Sequence, residues 1–170
     1  MKHVSTETTY LEMRAPNMPP RPTPSAATRL EQVSEPEIDF YRFLYDSVGN
    51  NYHWVDRRLL SDEQLGAILN DDRVDLWVLY VEDQPAGFGE LDRRVGNEIE
   101  VAYFGLFPAF IGRGLGKYLL ISVLEQAWKF QPSRVWLHTC DLDHPAALNN
   151  YLTAGFSVYD RQVIQQVVFD

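Results

Sequence analysis

Three glycines at every second position, Gly112, Gly114 and Gly116, are interleaved with Arg113 and Leu115 and followed by Lys117. The residues before them, Glu98-Ile99-Glu100-Val101-Ala102-Tyr103-Phe104, alternate polar and apolar like a half-buried strand. Those after them, Tyr118, Leu119, Ile121, Ser122, Leu124, Glu125 and Trp128, recur with helical spacing, so the glycines open a helix. Backbone N–H groups uncrowded by side chains at a helix N-terminus suit a pyrophosphate through hydrogen bonding and the helix dipole. Arg113 and Lys117 add positive charge. A Walker-type loop needs four residues between its glycines and then Lys-Ser/Thr, but here Lys117 is followed by Tyr118 and magnesium lacks its hydroxyl ligand. A dinucleotide fingerprint needs unevenly spaced glycines and a later acidic residue, and neither is present.

The elements that must hold this loop can be read on either side of it. Thr8 to Arg14 reads as a first strand, followed by a proline-rich connection over 15–25 that cannot be helical. Glu37 to Val48 reads as an aromatic amphipathic helix ended by Gly49-Asn50-Asn51. Ser61-Asp62-Glu63-Gln64 is a capping box that starts a second helix running to about Asn70. Val74 to Glu82 and Ala86 to Arg93 form a strand pair, and Val95-Gly96-Asn97 turns the chain into the strand carrying Glu98 and Glu100. After the glycine-opened helix come a strand through His138 and Cys140, a helix capped by Asp143-His144-Pro145, and closing strands.

Composition bounds the whole. At 170 residues, 45% of them hydrophobic, the chain supplies one core and reads as a single domain over 1–170. Its single cysteine, Cys140, precludes an intrachain disulfide or a cysteine-rich zinc site, and together with the absence of an apolar signal core this suggests a reduced cytoplasmic setting. The apolar runs are too short or too interrupted to cross a bilayer, so no membrane partner is expected. A formal charge of −9 argues against nucleic acid and is compatible with a cationic amine ligand. His138 and His144 bracket Asp141 and Asp143, but a strand residue and a helix cap do not make a metal site, so none is expected.

The glycine loop resembles the coenzyme-A signature of the GNAT superfamily of N-acetyltransferases, Gln/Arg-x-x-Gly-x-Gly/Ala after an apolar-x-Pro step. Leu106-Phe107-Pro108 supplies the step, Gly114 and Gly116 take the two small positions, and Ile111 stands where Gln or Arg is usual. A second block resembles the family's later motif: Tyr151, Gly155 and Phe156 match Tyr-x-x-x-Gly-Phe, with His144 at the usual Asn position. The resemblance covers Glu98 to Phe156. It implies an α/β (mixed α+β) domain in which a twisted mixed sheet is flanked by helices and coenzyme A lies where central strands splay. It also implies acetyl transfer from acetyl-CoA to a primary amine of a small molecule or peptide by direct attack, without a metal.

That chemistry asks for three groups. A carboxylate must take the amine's proton. Glu100 stands where some family members carry their catalytic glutamate, Glu98 shares its face, and Glu90 is a further contender, while both strand glutamates could equally be a solvated edge. A backbone amide must hold the charge growing on the thioester oxygen, and in the family this amide lies on the strand before the signature, here Leu106 or a neighbour. An acid must protonate the departing thiolate, a role the family gives to the residue matched by Tyr151, which could otherwise be a packed tyrosine. The backbone of Leu106 and of 111–117, that is Ile111, Gly112, Arg113, Gly114, Leu115, Gly116 and Lys117, is then the coenzyme site. Tyr45, Tyr52 and Trp54, with His138 and His144, are candidates for the acceptor wall, Tyr52 or Trp54 by stacking on a cation. A non-catalytic acyl-CoA-binding module and a different phosphate-ligand enzyme are the alternatives, and both monomer and homodimer are open.

Overall fold

A computed structural model describes residues 1–24 and 27–169. The chain runs β1 (Lys2–Met13), β2 (Thr28–Val33), α1 (Ile38–Gly49), α2 (Asp62–Leu69), β3 (Val74–Val81), β4 (Gln84–Asp92), β5 (Glu98–Leu106), α3 (Leu115–Trp128), β6 (Arg134–Cys140), α4 (Ala147–Thr153) and β7 (Ser157–Val168). Seven strands form one sheet in the order β2-β3-β4-β5-β6-β1-β7. Every pairing is antiparallel except β5 with β6. The expected mixed sheet flanked by helices is therefore the observed architecture.

Strand alternation explains how the sheet is covered on both faces. Along β3, Leu76 and Val78 join a cluster with Tyr41, Leu44 and Leu65 from α1 and α2, whereas Leu79 and Val81 join a cluster with Leu119, Val123 and Leu124 from α3. A strand buried on both faces reads as a continuous apolar run, as β3 does. On β5, Ile99 and Val101 belong to the α3 side, so Glu100 between them points to the α1 side. The register then slips: Val101 opposes Leu91 but Tyr103 opposes Glu90, leaving Ala102 as an extra residue. One extra residue reverses the alternation. Tyr103 consequently packs on the α1 side with Glu100, and Phe104 and Leu106 return to the α3 side.

The parallel β5–β6 pairing is short. It covers Glu98↔Arg134 to Glu100↔Trp136, although β5 continues to Leu106 and β6 to Cys140. Beyond Glu100 the two strands part.

Several local expectations need correction. Strand β2 was not anticipated, β1 begins at Lys2 rather than Thr8, and the closing segment is one twelve-residue strand rather than several. Pairing accounts for these differences: β2 zips onto β3 along its length, and β7 pairs with β1 from Lys2 onward. The proline-rich connection has neither helix nor strand over 15–24, and residue 25 lies outside the described residues. Asp143 does not cap α4. Its carboxylate accepts from the Thr139 hydroxyl and from Cys140 N–H at 3.0 Å, closing the turn after β6, so the helix starts later, at Ala147. The α2 capping box is formed: Gln64 N–H donates to Ser61 Oγ at 3.1 Å and Ser61 N–H to Gln64 Oε1 at 2.9 Å.

Candidate active site

The parted strands leave a cavity of about 700 Å³ that reaches from Ile111 and Gly116 to Tyr52 and Trp54. At its glycine end, Gly112 and Gly114 adopt positive φ of 82° and 76°, and a Cβ built on either would meet nothing within 4 Å. Left-handed backbone is what L side chains resist, so glycine is required here for conformation, and the space in front of it is open. Gly114 is the N-cap of α3 with no side-chain cap bond. The first-turn N–H groups, including those of Leu115, Gly116 and Lys117, therefore have no capping side chain over them. Leu115 itself is buried, so it can offer only backbone. Arg113 lies with its guanidinium 5.2 Å from the Phe110 ring, and Lys117 is exposed. The donor set, the open space and the dipole fit the pyrophosphate of coenzyme A. Ile111, 38% exposed, adds no donor.

Amide direction in β5 follows from one hydrogen bond. Phe107 N–H donates to Ala86 O at 2.8 Å, toward β4. In a ladder consecutive N–H groups point to opposite sides, so the Leu106 N–H points toward β6, into the gap where no β6 partner pairs with it.

The titratable residues expected at the site separate clearly. Glu100, Tyr151, His138 and His144 all line the cavity. Glu98 does not appear in that lining; it pairs with Arg134 at 2.9 Å. Glu90 is fully buried behind the cavity wall, accepting from the Tyr41 hydroxyl and from Arg57 Nη2 at 2.7 Å. Burial, then the nearby carboxylates of Asp92 and Glu90, push the Glu100 carboxyl up to about 7. Its nearest basic neighbour, His138 Nε2, is 3.9 Å away, and partial desolvation of that half-exposed imidazole lowers its proton affinity, favouring its neutral form. Burial and then Asp143 raise the Tyr151 hydroxyl well above its ordinary range, so it carries its proton at neutral pH. Cys140 also lines the cavity, and burial raises its thiol to about 11, which makes it a poor nucleophile.

The aromatic wall is built around Trp54. A Cβ at Gly49 would stand 2.6 Å from Trp54 Cβ, and one at Gly105 would run into Val48, so both glycines are required for close packing. Trp54 is then held 5.3 Å from Tyr45 and 5.2 Å from Tyr103 between ring centroids. Tyr45 is buried and its hydroxyl accepts from Arg57 N–H at 3.2 Å, which makes it a support for the wall. Tyr52 lies edge-on to His144 at 6.2 Å, and Nδ1 of His144 accepts from Ala146 N–H at 3.0 Å.

Sequence reasoning missed Asp92, Arg94, Arg57 and Tyr103, all of which line the same cavity. The signal for Asp92 was its place at the end of a strand expected to pair with the one carrying Glu100. The register of that pair depends on how the turn over 93–97 closes, which the spacing alone leaves open. Among the described residues there is no cluster of three or more metal-ligating side chains.

This geometry agrees with the comparisons. The model of the acetyltransferase (GNAT) family matches residues 34–156. The chain belongs to that family. It is 32% identical over 108 residues to the mycothiol acetyltransferase of Streptosporangium roseum, an alignment that covers 64% of this chain and 28% of that protein. Among solved structures, the GCN5-related N-acetyltransferase from Sphaerobacter thermophilus superposes with a TM-score of 0.72 at 16% identity, covering 94% of this chain and 50% of that one. An aminoglycoside acetyltransferase from an uncultured soil metagenomic sample, in complex with trehalose, gives 0.63 at 15% identity, covering 84% and 93%. At these identities the structures speak for the fold.

Proposed function

We propose that this chain transfers an acetyl group from acetyl-CoA to a primary amine of a small molecule or peptide. The observation that carries the reading is the convergence of Glu100, Tyr151 and the gap beside Leu106 on one cavity that also reaches the glycine loop. Acetyl-CoA held on the 111–117 loop would supply the activated acetyl group. Glu100 takes a proton from the incoming ammonium, a task suited to a carboxylate whose proton affinity lies near neutrality. Leu106 N–H holds the negative charge that grows on the carbonyl oxygen, a contribution of roughly 3 kcal/mol for a fixed donor. As the C–S bond breaks, Tyr151 gives its proton to the departing sulfur, and the proton that the newly acylated nitrogen sheds restores the phenol. Tyr52 and Trp54 supply ring faces for a cationic acceptor, and the exposed Asp56 beside them supports the same charge preference. The name of the curated relative, a mycothiol acetyltransferase, favours a small-molecule acceptor.

Thiol release from acetyl-CoA, followed across a panel of primary amines, tests the reading. Saturable release with at least one amine, lost in Glu100→Gln, is expected. Coenzyme binding without turnover on any amine would instead make the chain a binding module.

A further inference from the structure

Glu100 has a partner of its own sign. Asp92, the last residue of β4, is its register partner on β5. Cross-strand partners project to the same face, and both residues line the cavity. The two carboxylates are not equivalent. Asp92 is clasped by Arg94 three times: the backbone N–H at 2.9 Å and Nε at 3.0 Å bond Oδ1, and Nη2 at 2.8 Å bonds Oδ2. Glu100 has no such clasp among the described residues; its nearest basic group is the His138 ring, which favours its neutral form and lies beyond hydrogen-bonding distance. One carboxylate is thus built to stay ionised and the other to exchange a proton.

We propose that Asp92 is a positioning residue that acts on the reaction through Glu100, as a fixed negative charge facing the base across the β4–β5 pair. The proposal rests on Glu100 being the base. Asp92 ranks as the largest influence on Glu100 after burial, ahead of Glu90, whose own charge is engaged by Arg57. The groups that face Glu100 are Asp92 and Glu90 from β4, Arg94 just after it, Arg57 from the α1–α2 connection, and His138 from β6. Arg57 and Arg94 pull the proton affinity down and the two acids push it up, with Asp92 outweighing the guanidinium that clasps it. Like charges held close are a recurrent means of moving a carboxylate toward neutrality.

The test uses the full chain with no acceptor or coenzyme added. A carboxyl-carbon NMR titration follows Glu100, whose signal is identified by its loss in Glu100→Gln. A wild-type midpoint near 7 is expected. In Asp92→Asn the midpoint should fall by ~0.5 pH or more; in Arg94→Gln it should rise; and Asp92→Glu should restore most of the wild-type value. Once an acceptor is known, the acidic limb of kcat/KM should move in step. An unmoved midpoint in folded Asp92→Asn overturns the proposal. So does a raised acceptor KM with an unmoved limb, which would make Asp92 an acceptor ligand. Should Asp92→Asn fail to fold, Arg94→Gln carries the test, and a midpoint that does not rise overturns it. Failure of the underlying reading looks different: Glu100→Gln would then turn over with an unchanged acidic limb.

Discussion

At the scale of single residues, Glu100 joins activity to a cost in stability. An ordinary glutamate near 4.5 is moved to about 7 here, so the folded protein holds a proton that the unfolded chain releases. The stability associated with that proton is fully present below about 4.5 and is lost as pH rises through about 7. Glu100→Gln removes the penalty. We expect the variant to be more stable than wild type by on the order of 1–3 kcal/mol at pH 8.5, with the gap closing toward pH 4.5. Its kcat should fall by ~10²-fold or more. Melting curves at both pH values and turnover on the same samples check this; equal melting temperatures at pH 8.5 would show that the carboxylate is not strained. Tyr151 separates chemistry from binding in another way. Tyr151→Phe keeps ring volume, so coenzyme affinity should stay within a few fold while kcat drops by ~10²-fold. Normal turnover in that variant, with acceptor at saturation, would leave water or the acceptor to protonate the thiolate.

At the scale of elements, the loop before α3 makes two separable demands on Gly114. Its left-handed φ of 76° should cost Gly114→Ala about 1–2 kcal/mol of stability, although the Cβ meets open space. Gly114→Glu adds a negative charge in the cradle and should weaken coenzyme A binding at least ~10-fold beyond the alanine variant. Calorimetry on both variants decides, and equal affinities would remove the pyrophosphate from this loop. The loop, the α2 capping box and the two long helices were legible in the sequence because each is written in a local spacing: alternate glycines, Ser61 with Gln64, and a helical apolar period. What escaped depends on partners distant in sequence. In β2, Leu30 and Val33 are the only apolar residues, and the strand exists because β3 offers it an edge. Asp143 has the residue type of a cap but spends its carboxylate on Thr139 and Cys140. The Asp92–Glu100 pair was not legible either, because its register is set by how the chain turns between the two strands, and one slip there changes which side chains meet.

At the scale of the whole molecule, the sheet packs directly against α3. Gly89 on β4 marks where they touch: a Cβ there would stand 2.8 Å from Val123 Cγ2 of α3. Gly89→Ala should destabilise by ~1–3 kcal/mol through overpacking, and Val123→Ala in the same chain should recover part of the loss, as urea denaturation would show. An uncoupled pair, with the two losses simply adding, would mean the helix yields elsewhere. Finally, the brevity of the β5–β6 pairing has a mechanical meaning. Four strands, β2 to β5, form one antiparallel panel and β6, β1 and β7 another, and three residue pairs are all the ladder that stitches them. A ligand lodged in that seam acts as a keystone, bracing panels that the backbone leaves largely unlaced. Amide exchange in 102–106 and 137–140 should therefore be the most strongly slowed in the sheet when coenzyme A is added, with the long β1–β7 ladder scarcely changed.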